Sequence, residues 1–282
     1  MRSMVTLFLC GLFLLAGAST GSAQLTAAKT GPVVYGHHHL IVTSVEAHKR
    51  FWVDTLGGVP TPFGSGELFK FPNVLVLVRE GEPSGGTKGT TVNHIGFRVP
   101  SVQAVVDKAR AAGYSIATRD ELSPTMEVTD GLAYIANQDT YIAYVMAPDN
   151  VKVEFVENKT QNESIALHHI HFAGPVDEMQ AWYVETFGAV AGTRGSFKAA
   201  DLPGVNLTYS QSAELLQGTQ GRSLDHIGFE VDGLEEFCKK LELLGITFDR
   251  PYRKLDGRNL AIAFFTDPFG TYIELTEGLD EL

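Results

Sequence analysis

The chain has 282 residues, 44% hydrophobic and 20% charged, the balance of a folded globular protein and not of a disordered one. Its formal net charge is −11 and it carries no basic cluster or stripe, which excludes the usual footprint of nucleic-acid binding. With only two cysteines, Cys10 and Cys238, it has no disulfide framework.

The N-terminus reads as a signal peptide over residues 1–23. Arg2 supplies a positive charge, Val5 to Ala16 is apolar, and Gly21-Ser22-Ala23 offers small residues for cleavage. The apolar stretch is about 12 residues, short of the ~20 that span a bilayer. The mature protein is therefore expected to be exported, periplasmic or extracellular, and free of the membrane. Removal of the signal takes Cys10 with it. Cys238 falls on a predicted helix over 234–244, where packing is the expected role.

Four similar units follow in chain order. The first opens at His37, with an amphipathic helix carrying Val45, Trp52 and Leu56 and ending at Gly57-Gly58. The second opens at His94, with Val102, Val105, Val106 and Ala109 on its helix and Gly113 after it. The third opens at His168, with Val176, Met179, Tyr183, Phe187 and Gly188. The fourth opens at His226, with Leu234, Phe237, Leu241, Leu244 and Gly245. Apolar residues three, four and seven apart, closed by glycine, mark a helix facing a core and its C-cap. β-Rich runs come after each helix, among them Val74–Val78, Tyr141–Val145, Val205–Tyr209 and 260–265, bounded by Gly, Pro, Asn and Asp. Each unit is thus strand, helix and about three strands. The polar stretch Asn158 to Ser164 has linker composition, so domains are expected over 34–157 and 166–277, joined by 158–165.

Two trios recur in this frame: His37, His94 and Glu154, then His168, His226 and Glu274. Two imidazoles and a carboxylate make a facial set that holds a divalent transition metal and leaves positions open. A carboxylate directed into a sheet's concave face is costly unless it is paired or metal-bound. Gly96 and Gly228, two residues after ligand histidines, are read as room for a substrate. By strand parity His38 and His169 face away, at the surface or behind the ligands, and His48 and His171 are expected to be structural.

The closing motifs Asp267-Pro-Phe-Gly-Thr-Tyr-Ile-Glu274 and Ala147-Pro-Asp-Asn-Val-Lys-Val-Glu154, with opening strands such as Asp225-His-Ile-Gly-Phe-Glu-Val231, resemble the vicinal oxygen chelate superfamily. That group includes glyoxalase I, extradiol dioxygenases and bleomycin-resistance proteins. The resemblance covers about Val34 to Glu277. It implies an α+β fold of four βαβββ units paired into two domains, each a curved, partly open eight-stranded mixed sheet with flanking helices. It also implies that the two trios hold a divalent metal ion (Fe2+, Mn2+, Zn2+ or Ni2+). The function implied is a metal-dependent enzyme that chelates a small oxygenated substrate for dioxygenase or lyase/isomerase chemistry. The alternative is a bleomycin-resistance-like protein that sequesters its ligand without catalysis. Glyoxalase I takes a further glutamate near positions matching Val76 and Thr208, and neither is a carboxylate here. His39 is the candidate general base, Tyr252 and Tyr272 are phenolic candidates, and Arg98 is a candidate for holding an anionic substrate.

Overall fold

A computed structural model describes residues 24–282, so the signal peptide expected over 1–23 lies outside the described residues. Among the described residues no helix is long and apolar enough to cross a membrane. The four units are present. The first comprises β1 (Val33–Val42), α1 (Val45–Lys49), β2 (Val59–Phe63), β3 (Gly66–Phe71) and β4 (Val74–Glu80). The second has β5 (Val92–Val99), α2 (Val102–Ala111), β6 (Ser115–Ile116), α3 (Thr118–Glu121), β7 (Ala133–Ile135), β8 (Thr140–Ala147) and β9 (Val151–Glu157). The third has β10 (Ala166–Ala173), α4 (Val176–Phe187), β11 (Val190–Arg194), β12 (Phe197–Leu202) and β13 (Val205–Ser210). The fourth has β14 (Leu224–Val231), α5 (Leu234–Leu243), β15 (Arg250–Lys254), β16 (Ala261–Thr266) and β17 (Tyr272–Glu277).

The helices form where the periodicity places them. Ser44 and Ser101 cap α1 and α2, each hydroxyl accepting from the backbone N–H three residues on. Helix α1 continues through a π-helical turn, Arg50–Thr55, in which the Thr55 hydroxyl donates to the Arg50 carbonyl. Gly188 ends α4 in the left-handed region, at φ 72°. The buried faces carry Val102, Val106 and Ala109 on α2, Met179, Tyr183 and Phe187 on α4, and Leu234, Phe237 and Leu241 on α5. Cys238 lies buried among them, as expected. One large core is shared by the helices and by both sheets, with Trp52, Phe97, Tyr183 and Phe229 fully buried in it.

The two sheets run β15-β16-β17-β14-β1-β4-β3-β2 and β11-β12-β13-β10-β5-β9-β8-β6, with β7 added beside β8. Their seams are antiparallel, β1 against β14 and β10 against β5, and each seam is flanked by parallel strands. Unit one therefore pairs with unit four, and unit two with unit three. This corrects the expected division, because neither 34–157 nor 166–277 closes a sheet by itself. The stretch 158–165 joins β9 to β10, two strands of one sheet on either side of β5. The physical reason is that every unit presents the same unpaired edge on its opening strand, and any opposed opening strand satisfies it. The short connection favours the adjacent unit: Asn158 N–H donates to the Val99 carbonyl at 2.7 Å, and the Gln161 amide donates to the Arg98 carbonyl at 3.1 Å.

The real crossings between sheets are 81–91 and 211–223. They run side by side, bonded from Ser84 to Gly221, Ser223 to Gly85 and Thr91 to Gln217. Two clasps reinforce the join. Asp149, in the closing turn of unit two, accepts from the Thr43 N–H and hydroxyl and pairs with His48 Nε2 at 3.1 Å. Asp267, in the closing turn of unit four, accepts the Tyr183 hydroxyl at 3.0 Å. His48 is thus structural, as expected.

Candidate functional site

Each sheet carries a buried histidine–carboxylate cluster. In the first sheet Glu274 Oε2 lies 2.9 Å from His37 Nε2 and 3.0 Å from His226 Nε2. The register explains the convergence: Gly228 pairs with His37 on one side and with Glu274 on the other. A Cβ at Gly228 would overlap the His37 ring, so glycine is what admits the imidazole. The Nδ1 of His226 lies 2.6 Å from Asp225 Oδ2. Both nitrogens of this ring therefore face carboxylates, and the Nε2 side needs a proton or a cation. Burial opposes charge on His226, but its hydrogen bonds to Asp225 and Glu274 raise its pKa overall. Burial also works against ionised Glu274, yet the two imidazoles hold it far below the usual carboxylate range.

The second sheet repeats the plan. Glu154 Oε2 lies 2.8 Å from His94 Nε2 and 3.0 Å from His169 Nε2. Gly96 pairs with both His169 and Glu154, and a Cβ there would overlap the His169 ring. His171 joins the group, its ring 4.5 Å from that of His94. Asn93 Oδ1, not a carboxylate, sits 2.9 Å from His94 Nδ1. A further difference is Arg194, whose Nε donates to Thr208 Oγ1 at 2.8 Å. Burial pushes the pKa values of His94, His169 and His171 down, and the Arg194 charge pushes the same way.

The profile of the Glyoxalase/Bleomycin resistance protein/Dioxygenase superfamily matches residues 125–275. The chain belongs to this superfamily. Among solved structures it is similar to glyoxalase I from Zea mays, with 16% identity over 90% of this chain and 95% of that chain and a TM-score of 0.69. It is also similar to a proposed dioxygenase from Bacillus subtilis subsp. subtilis str. 168, with 12% identity over 88% and 86% of the two chains and a TM-score of 0.62. At these identities the likeness is one of fold. No curated protein sequence matches the chain.

The superfamily plan is present, but its histidines are sorted differently from the sequence expectation. His37 does not meet His94 and Glu154, because they lie in different sheets; it meets His226 and Glu274. His168 joins neither group: its Nδ1 lies 2.8 Å from Nδ1 of His169, and His169 is the residue in the cluster. His169 and His171, expected facing away or structural, are the histidines of unit three that converge. His38 is fully buried with its Nδ1 2.6 Å from the Tyr35 hydroxyl, so it is not a surface residue. The space above Gly96 and Gly228 holds imidazoles and not substrate.

Of the catalytic candidates, His39 and Tyr272 stand by the first cluster. Their rings lie 4.6 Å and 5.7 Å from His226, and both line a cavity of about 510 Å³ that also exposes His226 and Glu274. Burial, then the neighbouring His226 and His37, lower the His39 pKa to about 3, so its imidazole is neutral at ordinary pH. Tyr252 packs against the main core instead. Arg98 lines a surface groove beside His168, away from that cavity.

The donor sets suit a divalent cation. Three donor atoms crowd one point in the first cluster and four in the second, with carboxylate or amide oxygens fixing the outer nitrogens of His226 and His94. Among the described residues no second carboxylate joins either set: the residues in register with His37 and His39 on β4 are Leu75 and Leu77, and those in register with His169 and His171 on β13 are Asn206 and Thr208.

Proposed function

We propose that this protein is a metal-dependent enzyme whose working site is the first cluster. His37, His226 and Glu274 would hold a divalent ion of the Fe2+, Mn2+, Zn2+ or Ni2+ class, and a small oxygenated substrate would occupy the adjoining cavity. The observation that carries this reading is the single oxygen of Glu274 flanked by two imidazole Nε2 atoms at the floor of that cavity. A metal bound there supplies Lewis acidity and a template for two vicinal oxygens, or activates dioxygen if it is ferrous iron. The chain's own residues do the rest. Asp225 orients His226, Leu77 and Phe264 exclude water, and His39 and Tyr272 stand where a proton can be taken or given. With one carboxylate per donor set, dioxygenase or isomerase chemistry through three protein ligands fits better than a four-ligand site.

The second cluster is read as the lesser site, because the positive charge of Arg194, held by Thr208, acts on its histidines and opposes a cation among them. Export, read from residues 1–23, is part of the same proposal, and N-terminal sequencing of secreted protein tests it. Elemental analysis of protein purified without chelators tests the central claim. About one equivalent of divalent metal per chain is expected, and His226→Ala should abolish it. Iron would direct the search to oxygen uptake, and zinc, nickel or manganese to isomerase assays. Metal-free protein that binds its ligand equally well as His226→Ala would establish the sequestration reading instead.

A further inference from the structure

We infer that the cavity over His226 selects an anion: a substrate with an apolar or aromatic body and a carboxylate at the end away from Glu274. The inference deepens the functional reading above and rests on the cavity being the substrate site. Its walls are apolar, from Phe63, Leu77, Leu260, Ile262 and Phe264. Three arginines also line it, Arg79 from β4, Arg250 from β15 and Arg258 from the turn that follows. In a chain with 33 acidic and 22 basic residues, that convergence runs against the bulk composition.

None of the three side chains pairs with a carboxylate among the described residues. Arg250 lies over the Phe264 ring at 5.0 Å and Arg258 over the Phe63 ring at 5.1 Å. Stacking on an aromatic face anchors a guanidinium while leaving its N–H fork free for a planar anion. The cavity's own carboxylates are already engaged: Glu274 by His37 and His226, and Asp225 by His226 and the Gly221 N–H. An anion entering the cavity thus finds free donors at the rim and apolar walls beneath them. The volume, about 510 Å³, accommodates a ligand of one or two rings.

The test uses the full mature chain stripped of metal, with 2-naphthoate and uncharged 2-naphthamide as probes in calorimetric titration. Naphthoate is expected to bind about tenfold or more tightly than the amide, the scale of a charge-assisted contact, and to weaken as salt is raised. Arg250→Gln/Arg258→Gln should erase that preference while leaving naphthamide affinity and the circular dichroism spectrum unchanged. Equal affinities, a preference that survives the double substitution, or no saturable naphthoate binding would each overturn the inference. Because the protein is metal-free, failure here is distinct from failure of the metal reading, which elemental analysis decides separately.

Discussion

The imidazole of His37 occupies the space above Gly228 that any other residue would fill with its own Cβ. The two are directly paired across the β1/β14 seam, and Gly228 pairs in turn with Glu274. Glycine at this point is therefore a condition for the cluster and not a feature of strand propensity. Gly228→Ala should displace His37 or part the seam, at a cost of about 1–3 kcal/mol in stability for the overpacking. The expected outcome is a folded protein whose metal content falls to background, read by elemental analysis beside a denaturation curve. Full metal retention would show that His37 is dispensable to the donor set.

Asp225 acts through His226. Its carboxylate lies 2.6 Å from His226 Nδ1, which leaves Nε2 aimed at Glu274. Asp225→Asn keeps the shape but removes the charge, and should weaken metal affinity about 10–100-fold, the usual scale for such supporting contacts. Competition against a chromophoric chelator measures this directly. An unchanged affinity would mean the ring is oriented by packing alone.

Much of this was legible in the sequence, and the failures have identifiable causes. Helix faces such as Val102/Val106/Ala109, and strands such as Val74 to Val78, follow from periodicity because core burial dictates them. Which units share a sheet does not follow, since all four opening strands offer equivalent edges and the choice is made by connections at 81–91, 158–165 and 211–223. A repeat frame of constant length puts His168 in the place that His169 holds in the fold. The path from His39 to the helix at Val45 is one residue longer than the path from His171 to Val176, which displaces the frame by one. The signal that corrects it is the His-x-His pair, His37/His39 on β1 and His169/His171 on β10, whose register partners are equivalent in the two sheets. Arg194 was not legible as a site residue, because a hairpin's sequence does not say that the last residue of its first strand reaches Thr208 beside the cluster.

Arg194 makes its own prediction. Its charge bears on His94, His168, His169 and His171, whereas the leading charges acting on Glu274 and His226 are those of neighbouring histidines and carboxylates, the three cavity arginines not being among them. The wild-type chain should bind one ion tightly, at the first cluster, and His94→Ala should leave that ion in place. Arg194→Met should raise second-cluster affinity by about tenfold or more, as removal of a nearby like charge in a buried setting implies. Titration with Zn2+ or Mn2+ would then resolve two tight equivalents in the variant. Two in the wild type would show that the arginine does not exclude a cation.

Asp267 links the closing turn to stability. Burial raises its carboxyl to about 6 from an ordinary 3.8, although it accepts from the Thr271 and Phe269 N–H groups and from the Tyr183 hydroxyl. Between those two values the unfolded chain has released this proton and the folded chain has kept it, so stability falls as pH rises from about 4 to about 6 and is level above. Asp267→Asn abolishes the titration while its amide oxygen still accepts the two backbone donors. The stability difference, variant minus wild type, should therefore grow in the variant's favour by about 2–3 kcal/mol from pH 4 to pH 7, from the size of the shift. Groups elsewhere titrate identically in both proteins and cancel from the difference. Urea denaturation at several pH values measures it, and parallel profiles would show that the carboxyl is solvated in the folded state.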